Sequence, residues 1–353
     1  MTPIKRPSML FLFPSSMRSV LADVEAGVAP SELMYGVIEL RARGYRVAIA
    51  DHRFEDSFAR VRIPLRRYGV FLIDWRTIVA IWRHDVIVVK DNLSLTTTVV
   101  VKLLRKRLIY VDSMFELPRR RWRKALMRKS LTRADAVVAY SKSQIALWSQ
   151  YFGVPASTFT FVPYTMDTEF YRAVRPQHDA APFVLAIGRD LGRDFFTLVA
   201  AVKQAGLHLK LVTLPYLLPA NARGVNFIEV LQYVSYGELF QLYANAAVVV
   251  VPLKASITYP SGIRAVFESA LLGKATIATR TPVLEEYLGD QEIVYVPPRD
   301  VAALESAISK LIGDSARATE LGANARRRLA DRLDMSVLAD GLIRLSDAPT
   351  RRA

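Results

Sequence analysis

The sequence runs to 353 residues with no cysteine and a formal net charge of +15. Its length accommodates two domains of ordinary size, and 52% hydrophobic against 23% charged residues excludes a disordered chain. The missing cysteines exclude disulfides, thiol catalysis and thiolate metal sites, a composition suited to a reducing cytoplasm.

Met9–Pro14 reads as a first buried strand, since the apolar run after Lys5 and Arg6 is too short for a signal peptide. A polar loop, Asp23–Ser31, passes through Gly27 and Pro30. A helix opens at Ser31, carries Leu33, Met34, Val37, Ile38 and Leu40 on one face, and stops at Gly44. Val47–Ala50 is the next strand. Ile78, Val79, Ile81 and Trp82 suggest a helix, Asp85–Lys90 a buried strand, Leu95–Leu104 a helix and Arg107–Val111 a strand. Asp112 then stands at a strand's C-terminal end, where open α/β sheets place their ligand crevice. It is a candidate general base or acceptor ligand; the plainer reading is a turn residue, with Ser113 to Glu116 spaced as a capping box.

Positive charge is concentrated here. Residues 1–175 hold 29 Lys and Arg against 15 Asp and Glu, whereas 176–353 hold 19 against 18. Twelve of the first half's cations lie between Lys102 and Arg133. As a helix, the stretch from Pro118 to Leu131 sets Arg120, Lys124 and Arg128 in one stripe and Trp122 with Leu126 in another. Cations beside an aromatic suit an anionic membrane surface. A nucleic acid would use the same charges, but no zinc-finger, RRM or helix-turn-helix signature accompanies them. A solvated helix face is the bland alternative. No apolar run is long enough to span a bilayer, so the chain is expected to be soluble or surface-bound.

Ala136–Tyr140 is a strand, Ser141 to Gln144 opens a helix ending at Gly153, and Phe159–Val162 is one more strand. Asp167 caps the connection beyond it. Residues 173–182 form the expected linker between a first domain, 1–172, and a second, 183–333, with 334–353 a C-terminal helix crossing back to the first. In the second domain, Phe183–Gly188 is a strand, followed by Arg189 and Arg193 and a helix, Phe195–Ala205. Two guanidiniums beside a strand end and a helix start can clamp a pyrophosphate. The alternative is surface arginines paired with Asp190 and Asp194. Strands at Leu209–Thr213 and Val225–Val230 precede a loop with Tyr233 and a helix, Glu238–Asn245. Ala247–Pro252 then runs into Ser261 and Gly262, at the mouth of a helix from Ile263 to Gly273 that carries Glu268 among apolar residues. Unpaired N–H groups and the helix dipole make such a mouth attractive to phosphate. A carboxylate inside the helix needs a partner, which ribose hydroxyls can supply. The segment could equally be an ordinary βαβ unit with Glu268 facing solvent.

The stretch from Tyr259 to Thr279 resembles the C-terminal signature of GT-B glycosyltransferases, in particular the retaining family 4. The series from Ala136 to Tyr171, with its Ser-led helix, Gly-x-Pro and Pro-x-x-x-Asp-x-x-x-Phe, is similar to that family too. The resemblance implies an α/β GT-B fold of two Rossmann-like domains facing a cleft, and transfer of a sugar from a nucleoside diphosphate sugar to an acceptor hydroxyl. It also implies that Glu268 holds the ribose, that Arg189 and Arg193 bind the diphosphate, and that the loop with Tyr233 receives the base. Gly27 resembles the glycine of the loop facing sugar and acceptor, and Asp112 stands near a family His or acidic residue. Where the family commonly has a first Glu, eight residues before Glu268, this chain has Pro260.

No Walker loop, Gly-x-Ser-x-Gly elbow or metal-ligand spacing among His52, His84, His178 and His208 is present. No Asp-x-Asp pair occurs, which argues against the metal-dependent single-sheet type of glycosyltransferase. The expected enzyme therefore uses no metal or other cofactor and stabilises the leaving diphosphate with Arg189, Arg193 and helix-mouth N–H groups. Its expected partners are the nucleotide-sugar donor and an anionic membrane surface or lipid-linked acceptor, on the cytoplasmic side. The rivals are a nucleotide-sugar epimerase of the same fold and a non-catalytic basic scaffold.

Overall fold

The computed structural model describes residues 6–51, 75–90, 93–175, 182–222 and 224–348. Residues 52–74 with His52, the segment 176–181 with His178, and Arg351 and Arg352 lie outside the described residues. The chain divides into two units, each built on a six-stranded sheet whose strands are all parallel.

One unit comprises Met1–Ala26, Ser31–Thr165 and Met335–Ala353. Its strands are β1 (Met9–Phe13), β2 (Val47–Asp51), β3 (Val86–Lys90), β4 (Arg107–Val111), β5 (Ala136–Ala139) and β6 (Phe159–Phe161), in the order β2-β1-β3-β4-β5-β6. They read as near-continuous apolar runs because helices cover both faces. Leu10, Leu12, Ile87, Val89, Leu108, Tyr110, Val137 and Ala139 alternate onto one face and share a core with four helices. These are α3 (Trp75–Trp82), α4 (Leu95–Leu103), α5 (Arg121–Arg133) and α6 (Lys142–Phe152), through Ile81, Val101, Met127, Leu131, Trp148 and Phe152. The four therefore form one layer. The connection from β1 to β2 runs in the reverse direction, so its helix, α2 (Val37–Ala42), falls on the opposite face, where α14 (Met335–Asp347) packs against it.

Three local expectations need correction. Residues 23–25, the start of the stretch read as loop, instead complete α1 (Arg18–Glu25); no side chain caps this helix, so the usual start signal is missing. The helix expected from Ser31 to Gly44 is split. A 3₁₀ turn at Ser31–Met34 ends at Tyr35 and Gly36, both left-handed (φ 54° and 91°), before α2 begins. Ser113 caps no helix. The chain from Ser113 to Pro118 is irregular and anchored by Phe115, stacked 4.5 Å from Trp148, and by the Tyr151 hydroxyl donating to the Pro118 carbonyl. Other start signals operate as expected: Ser141 accepts from the Gln144 N–H and Asp167 from the Phe170 N–H.

The other unit comprises Gly27–Pro30 and Met166–Asp334. Its strands β7 (Phe183–Ile187), β8 (His208–Val212), β9 (Ile228–Leu231), β10 (Val248–Val251), β11 (Thr276–Thr279) and β12 (Val294–Val296) lie in the order β12-β11-β10-β7-β8-β9. This is the doubly wound order whose direction reverses between β7 and β10, the point where such sheets bind ligands. The helices are α7 (Thr168–Ala173), α8 (Phe195–Ala205), α9 (Tyr236–Asn245), α10 (Ile263–Leu271), α11 (Pro282–Glu285), α12 (Val301–Gly313) and α13 (Ser315–Ala330). Glycine at 322 lets α13 approach the end of α10 closely: a Cβ there would sit 2.0 Å from the Gly273 carbonyl oxygen.

Candidate active site

The loops leaving β7 and β10 meet at the reversal point. Leu253 bridges Arg193, the Asp194 N–H donates to the Pro252 carbonyl (3.0 Å), and the Lys254 N–H donates to that of Gly192 (2.8 Å). At their centre is Asp190. Its carboxylate accepts from the Gly192 N–H (2.9 Å), Arg193 Nε (3.0 Å), the Tyr259 hydroxyl (2.9 Å) and the Ser261 hydroxyl (2.7 Å). Burial opposes its charge, but the Arg193 guanidinium and the two hydroxyls outweigh burial and hold the carboxyl below its ordinary value.

Arg193 is thus paired with Asp190, as the plainer reading of the sequence had it, but it is no surface residue: its side chain is only 6% exposed. Asp194 does separate work, capping α8 through the Thr197 N–H and hydroxyl. Arg193 Nη1 is buried with no hydrogen-bond partner and lies 3.3 Å from where a Cβ on Gly262 would be. Gly262 is left-handed (φ 79°), and any side chain there would also strike Val251 at 2.8 Å. Only glycine keeps this helix mouth open. A buried guanidinium nitrogen lacking an acceptor, set beside the N-terminus of α10, is an arrangement chemically suited to an anion.

Further along α10, Glu268 is 3% exposed rather than facing solvent. One carboxylate oxygen accepts from the Tyr243 hydroxyl (2.7 Å) of α9 and the other from Arg264 Nε (2.8 Å), four residues earlier on α10. A carboxylate offers about four acceptor positions, so both oxygens can still accept a further hydroxyl. Burial, and then the charge of Glu268, keep the Tyr243 hydroxyl protonated. Arg189 is not gathered with Arg193. Its Nη2 donates to the Gln232 carbonyl (3.0 Å), beside Tyr233, which is 87% exposed in the loop between β9 and α9.

The first unit carries its own polar cluster. Asp112 follows β4 in a left-handed conformation (φ 51°). It accepts from the Tyr35 hydroxyl (2.6 Å) and lies 3.6 Å from Lys90 Nζ at the end of β3. Burial, followed by the charge of Asp112, pushes the Tyr35 hydroxyl well up. Gly27, which belongs to the second unit, is left-handed (φ 70°), with open space where a side chain would point. On α5, Arg120 is the cap position, Trp122 is partly exposed, and Arg119, Arg120, Trp122 and Arg123 line an open depression of about 420 Å³. Lys124 lies over the Tyr151 ring at 4.5 Å and Arg128 donates to the Gly153 carbonyl, so two cations of the expected stripe are turned partly onto α6.

Sequence reasoning missed Tyr35, Lys90, Asp190's role as a hub, Tyr243 and Tyr259. Arg264 was findable, because an Arg four residues before a Glu shares its helix face. Among the described residues no group of carboxylates and histidines could hold a metal ion.

Comparison with known proteins agrees with this architecture. Residues 37–170 match the model for Glycosyltransferase Family 4, and residues 190–314 that for Glycosyl transferases group 1. No curated protein matches the sequence significantly. Among solved structures, sucrose-phosphate synthase from Thermosynechococcus elongatus superposes with a TM-score of 0.71 at 17% identity, over 96% of this chain and 98% of that one. Anabaena HepE, in complex with UDP and glucose, gives 0.69 at 15% identity over 96% and 99%. The UDP-forming α,α-trehalose-phosphate synthase of Burkholderia vietnamiensis gives 0.67 at 11% over 97% and 98%. With both halves of the sequence matching glycosyltransferase models and the fold shared end to end with enzymes of this type, the chain is a family 4-like glycosyltransferase of the GT-B fold.

Proposed function

We propose that this glycosyltransferase takes its sugar from a nucleoside diphosphate donor bound at the mouth of α10. The observation that carries the reading is Arg193 Nη1, buried without an acceptor beside Gly262. A diphosphate oxygen supplies the missing acceptor, and the α10 N–H groups and dipole add to it. Glu268 holds the ribose through its remaining acceptor positions, and Arg189 and Tyr233 border the base. HepE's complex with UDP supports a uridine donor as the first to test. Departure of the diphosphate develops negative charge against Arg193, a preorganised cation requiring no metal.

Asp112, steadied by Tyr35 and Lys90, receives the acceptor's proton, and Gly27 leaves room for sugar or acceptor. The acceptor is a lipid-linked or polysaccharide precursor, met at an anionic, cytoplasmic membrane face to which Arg120, Trp122, Lys124 and Arg128 are attracted. No described helix is long and apolar enough to cross a membrane, so attachment in this reading is peripheral.

A thermal-shift screen with UDP, GDP, ADP and CMP tests donor binding directly, since a ligand that binds only the folded state raises Tm. One nucleotide should stabilise the protein, and Arg193→Ala should abolish that shift. The same substitution should cut turnover at least about tenfold, equivalent to about 1.4 kcal/mol of barrier. Turnover unchanged by Arg193→Ala would overturn the pocket assignment, and EDTA should leave wild-type turnover intact.

A further inference from the structure

The outer surface of the helix layer in the first unit is unusual in two respects. On α3, Trp75 is 69% exposed, Trp82 63% and Ile78 37%; these fall at positions i, i+3 and i+7, one stripe pointing away from the core that Ile81 enters. On α4, Val99 is 40% and Leu103 76% exposed, one turn apart, while Val101 is buried. Single exposed apolar residues are ordinary, but aligned stripes on helices of one layer mark a binding face. The second peculiarity is charge. The sequences of α3, α4 and α5 contain no Asp or Glu; Lys102 of α4 pairs with Asp135 beyond α5, which leaves Arg76 and the six cations of α5 as the positive charge of the layer. Arg76 sits 5.5 Å from the Trp75 ring centroid.

We propose that the α3 and α4 stripes insert into the headgroup layer of an anionic bilayer, with Trp75, Trp82, Ile78 and Leu103 as the inserting side chains. The inference deepens the membrane half of the proposed function and rests on it, but it moves the anchor from the α5 cations to an apolar face that the sequence did not reveal. Tryptophans at both ends of a short helix, with an arginine beside one of them, match the amphipathic residues that settle at a membrane interface. The charge pattern selects the occupant. A second copy of this chain would bring Arg76 and the α5 cations against their own copies, which disfavours a symmetric dimer on this face. A nucleic acid would satisfy the cations but give Val99 and Leu103 nothing to bury against. An anionic bilayer satisfies both, with α5 drawing the protein in over a Debye length and α3 and α4 retaining it.

Co-sedimentation with phosphatidylserine-containing and pure phosphatidylcholine vesicles tests the proposal, using the full chain. Two apolar variants, Trp75→Ser/Ile78→Ser/Trp82→Ser and Val99→Ser/Leu103→Ser, should each weaken partitioning into anionic vesicles at least tenfold while keeping wild-type circular dichroism. A third variant, Arg120→Ser/Lys124→Ser/Arg128→Ser, should weaken it in a salt-dependent way. Insertion is read independently of any folding defect in Trp122→Phe, which leaves Trp75 and Trp82 as the exposed tryptophans; brominated lipid should quench their emission. If the apolar variants pellet like wild type and quenching is absent while the α5 variant no longer pellets, the electrostatic reading stands and insertion is wrong. Wild type that does not pellet with anionic vesicles overturns both. Emission already blue-shifted without vesicles, or a dimer that the apolar variants dissociate, would show the stripe covered by protein and would equally overturn insertion.

Discussion

The two polar centres of this molecule are built on opposite principles. Around Asp190 the protein supplies more positive character than it consumes: four donors converge on one carboxylate, yet Arg193 keeps one buried nitrogen unspent. Around Asp112 the carboxylate is the focus, drawn on by the Tyr35 hydroxyl and by Lys90. The first arrangement suits a ligand group that never varies, a diphosphate. The second suits a proton, whose place is decided by the neighbours of a single oxygen. In the proposed reading, one sheet motif would serve a permanent anion in one unit and a transient charge in the other.

Removing the charge at Asp112 is the most severe way to break this contrast. Asn tolerates a left-handed backbone, so Asp112→Asn isolates charge from conformation. If Asp112 takes the proton, turnover should fall by about 10² or more with the nucleotide-induced Tm shift unchanged. A loss of nucleotide binding instead would place Asp112 in a structural role. Tyr243→Phe probes the other centre with less force. Deleting a buried donor to the Glu268 carboxylate should cost about 1.5–3 kcal/mol of stability, measured by denaturant titration. A change within error would mean that Arg264 alone satisfies Glu268.

The smallest effect sharpens the comparison through pH. Asp190 has a folded value below its ordinary 3.8, so the stability it contributes is fully present above that value and is lost as pH falls through the lower folded one. Wild type should therefore lose stability below about pH 4 more steeply than Asp190→Asn. Parallel acid profiles for the two proteins would remove Asp190 from the electrostatic account.

Much of this was legible where signals are local. The span of α8, Phe195–Ala205, and that of β4, Arg107–Val111, follow from an apolar period with clear stops, and the helix carrying Glu268 was read from its glycines. The architecture came from the resemblance between Tyr259 and Thr279. What stayed hidden depends on tertiary geometry. Tyr35 breaks a helix that the sequence pattern runs straight through, and its hydroxyl reaches a carboxylate 77 residues away. Asp190 looked like a surface partner for arginine because its two hydroxyl donors lie about seventy residues further along the chain. The exposed face of α3 was equally invisible: Trp82 and Ile81 are neighbours in sequence, and only packing decides which of them is buried.

The contact between Gly322 and Gly273 has a consequence for how this enzyme can change. With backbone pressed on backbone, α13 acts as a fixed stop behind the helix whose other end carries the proposed donor site, and no rotamer can relax to absorb a shift. Donor preference in descendants of this sequence should therefore drift through the loops around Asp190 and Tyr233, while position 322 admits no replacement.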